Sequence, residues 1–224
     1  MPPPDLPRVV LVGFNKCGTR SLARLFQGAG HRALHHKHRR PLRRSQTAAR
    51  IIRDNLAAGR KALAGIEDYT FYCDLIHATQ TDYYEGNTAF REILRDYPGT
   101  ILLLNLRDRE AWIASRLLHG HGEFARRAMT ALGLPDQAAL IARWRADWDA
   151  QIAALRAELA DRPDQLIIFD LDNDPIETLV AALPAYGLDA ADWGDTGRSR
   201  GRKMSAPLAW AKRAWARVRP RSAR

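Results

Sequence analysis

The amino-acid sequence predicts an α/β fold in three layers, α/β/α, with a central, mainly parallel sheet between helices. Three observations carry that prediction. Short valine- and leucine-rich runs alternate along the chain with longer segments of helical period. The strongest of those runs are apolar almost throughout, as expected of strands covered on both faces. The chain, at 224 residues, is long enough to bury one such core without disulfides or a metal. Residues 1–197 are therefore read as one domain and residues 198–224 as a basic C-terminal tail.

The first strand is placed at Val9–Val12, where three valines and a leucine run together before Gly13. The helix Thr19–Gln27 follows, with Leu22, Leu25 and Phe26 at helical spacing. A weaker strand is expected at Ala33–His36, then the helix Ala48–Leu56, then a second weak strand at Gly65–Tyr69. Ile101–Leu106 is a near-continuous apolar strand and leads into the helix Arg109–Leu118. The long helix Gln137–Leu159 carries Trp144 and Trp148 four residues apart, hence on one face, where they are read as core packing. Leu166–Asp170 supplies a further strand. Asp174, Pro175 and Glu177 then form a helix start: Asp174 as cap, Pro175 in the first position and Glu177 reaching back to the free donors. A helix is expected over Pro175–Leu183.

The net charge of +10 is not spread evenly. Arg198 to Arg224 hold ten Lys/Arg and no acidic residue, so residues 1–197 balance at 25 charges of each sign. In the tail, Leu208, Ala211, Trp215 and Val218 recur at helical spacing among Lys212, Arg213, Arg217 and Arg219. That pattern fits an amphipathic helix on an anionic membrane surface, and equally a solvated, disordered tail. A neutral body argues that the tail is an addition to the domain, and nucleic acid is not expected as a partner. Two cysteines, Cys17 and Cys73, make no framework, and "MPPPDLPR" lacks the design of a secretory signal. The expected location is the cytoplasm, peripheral to the inner face of the membrane if the tail attaches. His31, His35, His36 and His38 lack carboxylate or cysteine partners at ligand spacing, and the arginines around them repel a cation, so no metal site is expected.

The segment "GFNKCGTRSL" bears the chemistry. In the nucleoside-triphosphate loop the order is G-x-x-x-x-G-K-[ST], with lysine after the second glycine. Here Lys16 comes before Gly18, and Thr19 stands where the lysine would be. Between a strand and a helix, the N–H groups of Lys16 to Ser21 converge at a helix N-terminus, where unpaired donors and the helix dipole favour an anion. Lys16 adds a full charge, and Thr19 and Ser21 add hydroxyls. The bland alternative is a glycine-containing strand-to-helix turn. A second constellation is Arg107, just after Ile101–Leu106, with Ser115 on the following helix. Both fall at the carboxyl edge of the same sheet, where α/β proteins bind ligands, and a guanidinium can clamp a phosphate with two bonds.

Together, K-x-G-T-x-S-L on the first helix and R-D-x-x-x-W-x-x-S after a later strand resemble the sulfotransferases that use 3′-phosphoadenosine 5′-phosphosulfate (PAPS), most of all their small bacterial members. The resemblance implies a P-loop-NTPase-like fold and transfer of a sulfuryl group to an acceptor hydroxyl on a carbohydrate or another small molecule. It implies that Lys16, Cys17, Gly18, Thr19, Arg20 and Ser21 hold the phosphosulfate, that Arg107 and Ser115 hold the 3′-phosphate, and that Arg202 and Lys203 help to close over it. The tail lacks the family's usual R-K-G, and Arg20 replaces a common threonine. The family places its base ahead of the Arg…Ser strand, which here means Asp68, Asp74 or His77, with Asp74 first and His77 second. The scheme requires no metal. The segments His31–Arg44 and His119–Leu134 are expected to meet the acceptor, the first suiting an anionic one. Two competing readings are a P-loop kinase, which the place of Lys16 opposes, and a protein that binds anionic surfaces or nucleic acid through its tail.

Overall fold

The structure is a computed structural model that describes residues 6–39 and 44–194. The basic tail, with Arg202 and Lys203, lies outside the described residues. Strand β1 (Val9–Leu11) is buried at every position and leads through a loop into helix α1 (Thr19–Gly28). Strand β2 (Ala33–His35) follows, then an antiparallel pair of β3 (Lys37–His38) and β4 (Gln46–Thr47). Thr47 caps helix α2 (Ala48–Ala57) by accepting from the Arg50 N–H at 3.3 Å. Strand β5 (Phe71–Cys73) precedes a second antiparallel pair, β6 (Ile76–Ala78) with β7 (Tyr83–Glu85), and helix α3 (Phe90–Asp96). Strand β8 (Ile101–Leu106) enters helix α4 (Arg109–Leu117), capped by Asp108 through the Ala111 N–H at 2.7 Å. Helices α5 (Glu123–Leu132) and α6 (Gln137–Glu158), strand β9 (Leu166–Asp170) and helix α7 (Ile176–Ala182) complete the order.

The main sheet runs β2-β5-β1-β8-β9 and every pairing in it is parallel, which puts β1 in the middle. Successive strand residues point to opposite faces. Val9 and Leu11 therefore meet Leu22, Phe26, Leu179 and Leu183 of α1 and the α7 region, whereas Val10 and Val12 meet Ile52, Ile93 and Leu155 of α2, α3 and α6. The result is the three-layer α/β/α arrangement. A third apolar cluster gathers Phe14, Cys17, Trp112, Phe124, Trp144 and Trp148 around the loop after β1. Trp144 and Trp148 are thus core residues, and Trp148 stacks on Phe14 at 5.8 Å. No helix among the described residues is long and apolar enough to cross a membrane.

Two expectations are corrected. Gly65–Tyr69 is not a strand: Gly65 turns at φ 80°, and Asn55 Nδ2 donates to the carbonyls of Ala62 and Ala64, which ties the approach into a turn. Pairing starts only at Phe71, where three consecutive residues are buried. Asp174 does not cap α7. Its Oδ2 accepts from the Asp170 N–H at 2.7 Å, closing the turn after β9, and Pro175 takes the cap position.

Candidate active site

Because β1, β2, β5 and β8 are parallel, the residues that follow them meet at one edge of the sheet. Gly13 opens the loop there, where a Cβ would fall 2.1 Å from Asn105 Oδ1 and 2.4 Å from the Asn105 carbonyl oxygen. The chain then turns through Lys16 at φ 72° and Gly18 at φ 75°.

Three consecutive carbonyls fasten this loop from behind. Trp112 Nε1 donates to the Asn15 carbonyl at 3.0 Å, Arg107 Nη1 to that of Lys16 at 3.1 Å, and Asn105 Nδ2 to that of Cys17 at 2.5 Å. In a trans peptide the C=O and N–H point opposite ways. Tying these carbonyls to α4 and the end of β8 turns the N–H groups of Lys16, Cys17 and Gly18 away from them, and among the described residues none of the three has a protein acceptor. Such a row of free N–H groups through left-handed backbone is an anion-binding concavity, and the start of α1 extends it.

Lys16 is half-buried. Burial lowers its pKa first of all, Arg20 and Arg107 lower it further, and Asp74 opposes them. A bound anion would restore the charge. Arg107 gives one nitrogen to the loop, and among the described residues its buried Nε has no partner. Thr19 Oγ1 lies 3.2 Å from His35 Nε2, Arg20 is exposed, and Ser21 Oγ donates to the Gly194 carbonyl at 2.6 Å. Burial pushes the Cys17 thiol up to about 12, which keeps it protonated and a poor nucleophile. Ser115 sits half-buried on α4.

Asp74 stands beside this loop by virtue of strand order. His35 pairs with Cys73 across β2 and β5, so the next residues of the two strands come together. Asp74 Oδ2 is 3.4 Å from His36 Nδ1 and 3.9 Å from His35 Nε2. Burial lowers the pKa of His35, against the pull of Asp74; it also lowers that of His119, helped by Lys16. His119, just past α4, is thereby placed within electrostatic range of both Lys16 and Asp74. Four non-glycine residues among those described have positive φ, and three of them, Lys16, His36 and Asp74, belong to this cluster. Backbone strain of that kind collects at functional sites.

The other base candidates are engaged in other contacts. Asp68 pairs with Arg32 at the surface, and both ring nitrogens of His77 are engaged, Nδ1 with Thr47 Oγ1 at 2.9 Å and Nε2 with Asp82 Oδ2 at 3.3 Å. The four histidines between 31 and 38 part company: His31 Nε2 meets the Tyr186 carbonyl at 2.7 Å, His38 Nδ1 the Tyr69 hydroxyl at 3.0 Å, and only His35 and His36 face Asp74. Sequence reasoning missed His35, His36 and His119 as partners of Asp74, and Asn15 and Asn105 as anchors of the loop, since nothing local marks them.

No curated protein matches the sequence. Among solved structures, the chain is similar to a sulfotransferase from Alicyclobacillus acidocaldarius at 17% sequence identity and a TM-score of 0.48, over 94% of this chain and 91% of that one. The family profile for the sulfotransferase domain matches residues 8–181, from just before β1 into α7. That span takes in the Lys16 loop, Asp74, Arg107 and Ser115 alike: the chain belongs to the sulfotransferase-domain family and is a transferase.

Proposed function

We propose that this transferase moves a sulfuryl group from PAPS to a hydroxyl of a carbohydrate or another small molecule. One observation carries the reading: the free N–H groups of Lys16, Cys17 and Gly18, turned from their fastened carbonyls, share a sheet edge with the Lys16 ammonium and Asp74. During transfer, the bond from sulfur to the bridging phosphate oxygen breaks as the acceptor oxygen bonds to sulfur. Negative charge grows on the departing 5′-phosphate, and Lys16, with the N–H groups of Cys17, Gly18, Thr19, Arg20 and Ser21, is the preorganised cation-and-dipole set that neutralises it. Arg107 and Ser115 take the 3′-phosphate, and the unpartnered Arg107 Nε supports that role. Asp74 accepts the proton of the acceptor hydroxyl.

A second reading gives that proton to His36, favoured by the 3.4 Å approach of its Nδ1 to Asp74, whose carboxylate would stabilise the imidazolium. The acceptor enters past His36 and His119, within the two segments assigned to it from the sequence, and the cations of the first suit an anionic acceptor. Arg202 and Lys203 are proposed to close over the 3′-phosphate, and the rest of the tail to touch anionic lipid. Equilibrium binding of adenosine 3′,5′-bisphosphate against ATP with Mg²⁺ tests the donor. The bisphosphate should bind more tightly; preference for ATP would refute the proposal and favour a kinase.

A further inference from the structure

Helix α4 touches the anion loop twice at one residue. Trp112 and Arg116, four apart and so on one face, both end on Asn15: Trp112 on its carbonyl, and Arg116 Nε on its Oδ1 at 2.6 Å. Arg116 is 0% exposed. Its Nη2 pairs with Glu85 of β7, which also accepts the Tyr83 hydroxyl at 2.5 Å. The rings of Phe14, Trp112, Phe124 and Trp144 surround its guanidinium carbon at 5.4, 4.8, 5.2 and 4.9 Å. Its Nη1 is buried and has no partner among the described residues.

Stability is a poor reason for this arrangement. A buried ion pair commonly does no better than apolar side chains of the same volume, and an unsatisfied buried nitrogen adds a cost. What no apolar residue in that cage would do is hold the Asn15 side chain, one residue before the left-handed turn at Lys16. The same guanidinium holds Glu85, which pairs with Ile76, and the Ile76 N–H donates to the Asp74 carbonyl at 2.9 Å. A single buried cation thus joins the loop of Lys16 to the strand pair that follows Asp74.

We propose that Arg116 is a positioning residue: through Asn15 it keeps Lys16 in the turn that aims its charge, and through Glu85 it sets that turn against Asp74. The inference rests on the reading of the loop as the donor site, but its test does not. Arg116→Met strands Glu85 in the core, so the informative variants are Asn15→Ala, which cuts only the bond to the loop, and Arg116→Lys, which keeps the charge in the cage but has no Nε for Asn15. In the full-length protein without ligand, the backbone carbon shifts of Lys16 report whether it stays left-handed. Both variants should move those shifts toward values averaged over other conformations; both should still unfold in one cooperative transition, a few degrees below the wild type, because each leaves a buried polar group without its partner. Both should also bind adenosine 3′,5′-bisphosphate roughly 10- to 100-fold more weakly. The double variant should be no worse than either single one, as for two parts of one device. Unchanged Lys16 shifts in Asn15→Ala and Arg116→Lys, or additive losses in the double variant, would overturn the proposal. If the wild type does not bind the bisphosphate, the donor reading fails, while the Lys16 shifts still decide the role of Arg116.

Discussion

Lys16 meets two requirements that substitution can separate: it is a cation in the loop proposed to hold the donor, and it is a non-glycine residue at φ 72°. Left-handed backbone costs an L-residue roughly 1–2 kcal/mol. Lys16→Gly releases that strain but gives back about 0.5–1 kcal/mol through the greater freedom of the unfolded chain. Relative to Lys16→Ala it should gain about 0.5–1 kcal/mol, which for a folded body of this size is about 1–4 °C in melting temperature. Turnover should follow the other property. Both variants lose the charge proposed to stabilise the leaving phosphate, and both should fall on the order of 10²–10³. The pH profile supplies the cross-check. Burial, then Arg20, hold the Lys16 pKa below 10.5 in the folded chain, so the unfolded chain binds the extra proton and stability rises with pH between the lowered pKa and 10.5. Over the same rise the ammonium is lost, so kcat/KM should fall at a lower pH than an ordinary lysine would give. Lys16→Arg, which does not deprotonate in that range, should move the fall upward. Sulfate transfer measured from neutral to alkaline pH, with melting curves for each variant, tests the whole chain of reasoning. Full turnover in Lys16→Ala, or a Lys16→Gly that melts below Lys16→Ala, would refute it.

Other outcomes follow from the same geometry. Gly13→Ala places a methyl 2.4 Å from the Asn105 carbonyl oxygen, which belongs to β8 and cannot yield; a loss of about 1–3 kcal/mol is expected by chemical denaturation, with weaker donor binding as the Asn105 contact to Cys17 opens. Arg107→Met should weaken adenosine 3′,5′-bisphosphate by roughly one to two decades and adenosine 5′-monophosphate far less, and equal losses in calorimetric titrations would point to a misplaced loop instead. Asp74→Asn keeps a side chain that tolerates left-handed backbone, so it should fold and bind the bisphosphate normally while turnover drops about 10²–10⁴-fold. Turnover retained in Asp74→Asn but lost in His36→Ala would move the base to His36.

The parts of the fold that could be read from the sequence are those whose signal is local. Val9–Val12, Ile101–Leu106 and Leu166–Asp170 announce themselves as apolar runs, and Trp144 and Trp148 as one helical face; the structure places each of them as expected. Phe71–Cys73 was hidden because three residues are too few for a period and a tied turn precedes them. Helix α5 was hidden behind Gly120, His121 and Gly122, all left-handed, which read as an irregular connection. The Lys16 loop was visible because a glycine-bracketed turn with a lysine and hydroxyls is contiguous. The surroundings of Asp74 were not, since His36 meets it only through the neighbouring places of β2 and β5 in the sheet. Asn15 and Arg116 belong to the same class, being far apart in the chain and joined by packing alone.

The central place of β1 also bears on how the protein is born. On a ribosome β1 emerges first, yet its parallel neighbours are Phe71–Tyr72 on one side and Ile101–Leu103 on the other. Closing such long loops is slow, and an unpaired valine-rich strand is exposed to misassociation while it waits. The anion loop has the same delay, because its carbonyls are fastened by Asn105, Arg107 and Trp112. An N-terminal fragment that ends before these residues carries every side chain of the Lys16 motif and none of its geometry. Ligand capture by nascent chains of increasing length should therefore switch on only after α4 has emerged, which makes it a timer for the pairing of β1 with β5 and β8 and not a template for the early assembly of the sheet.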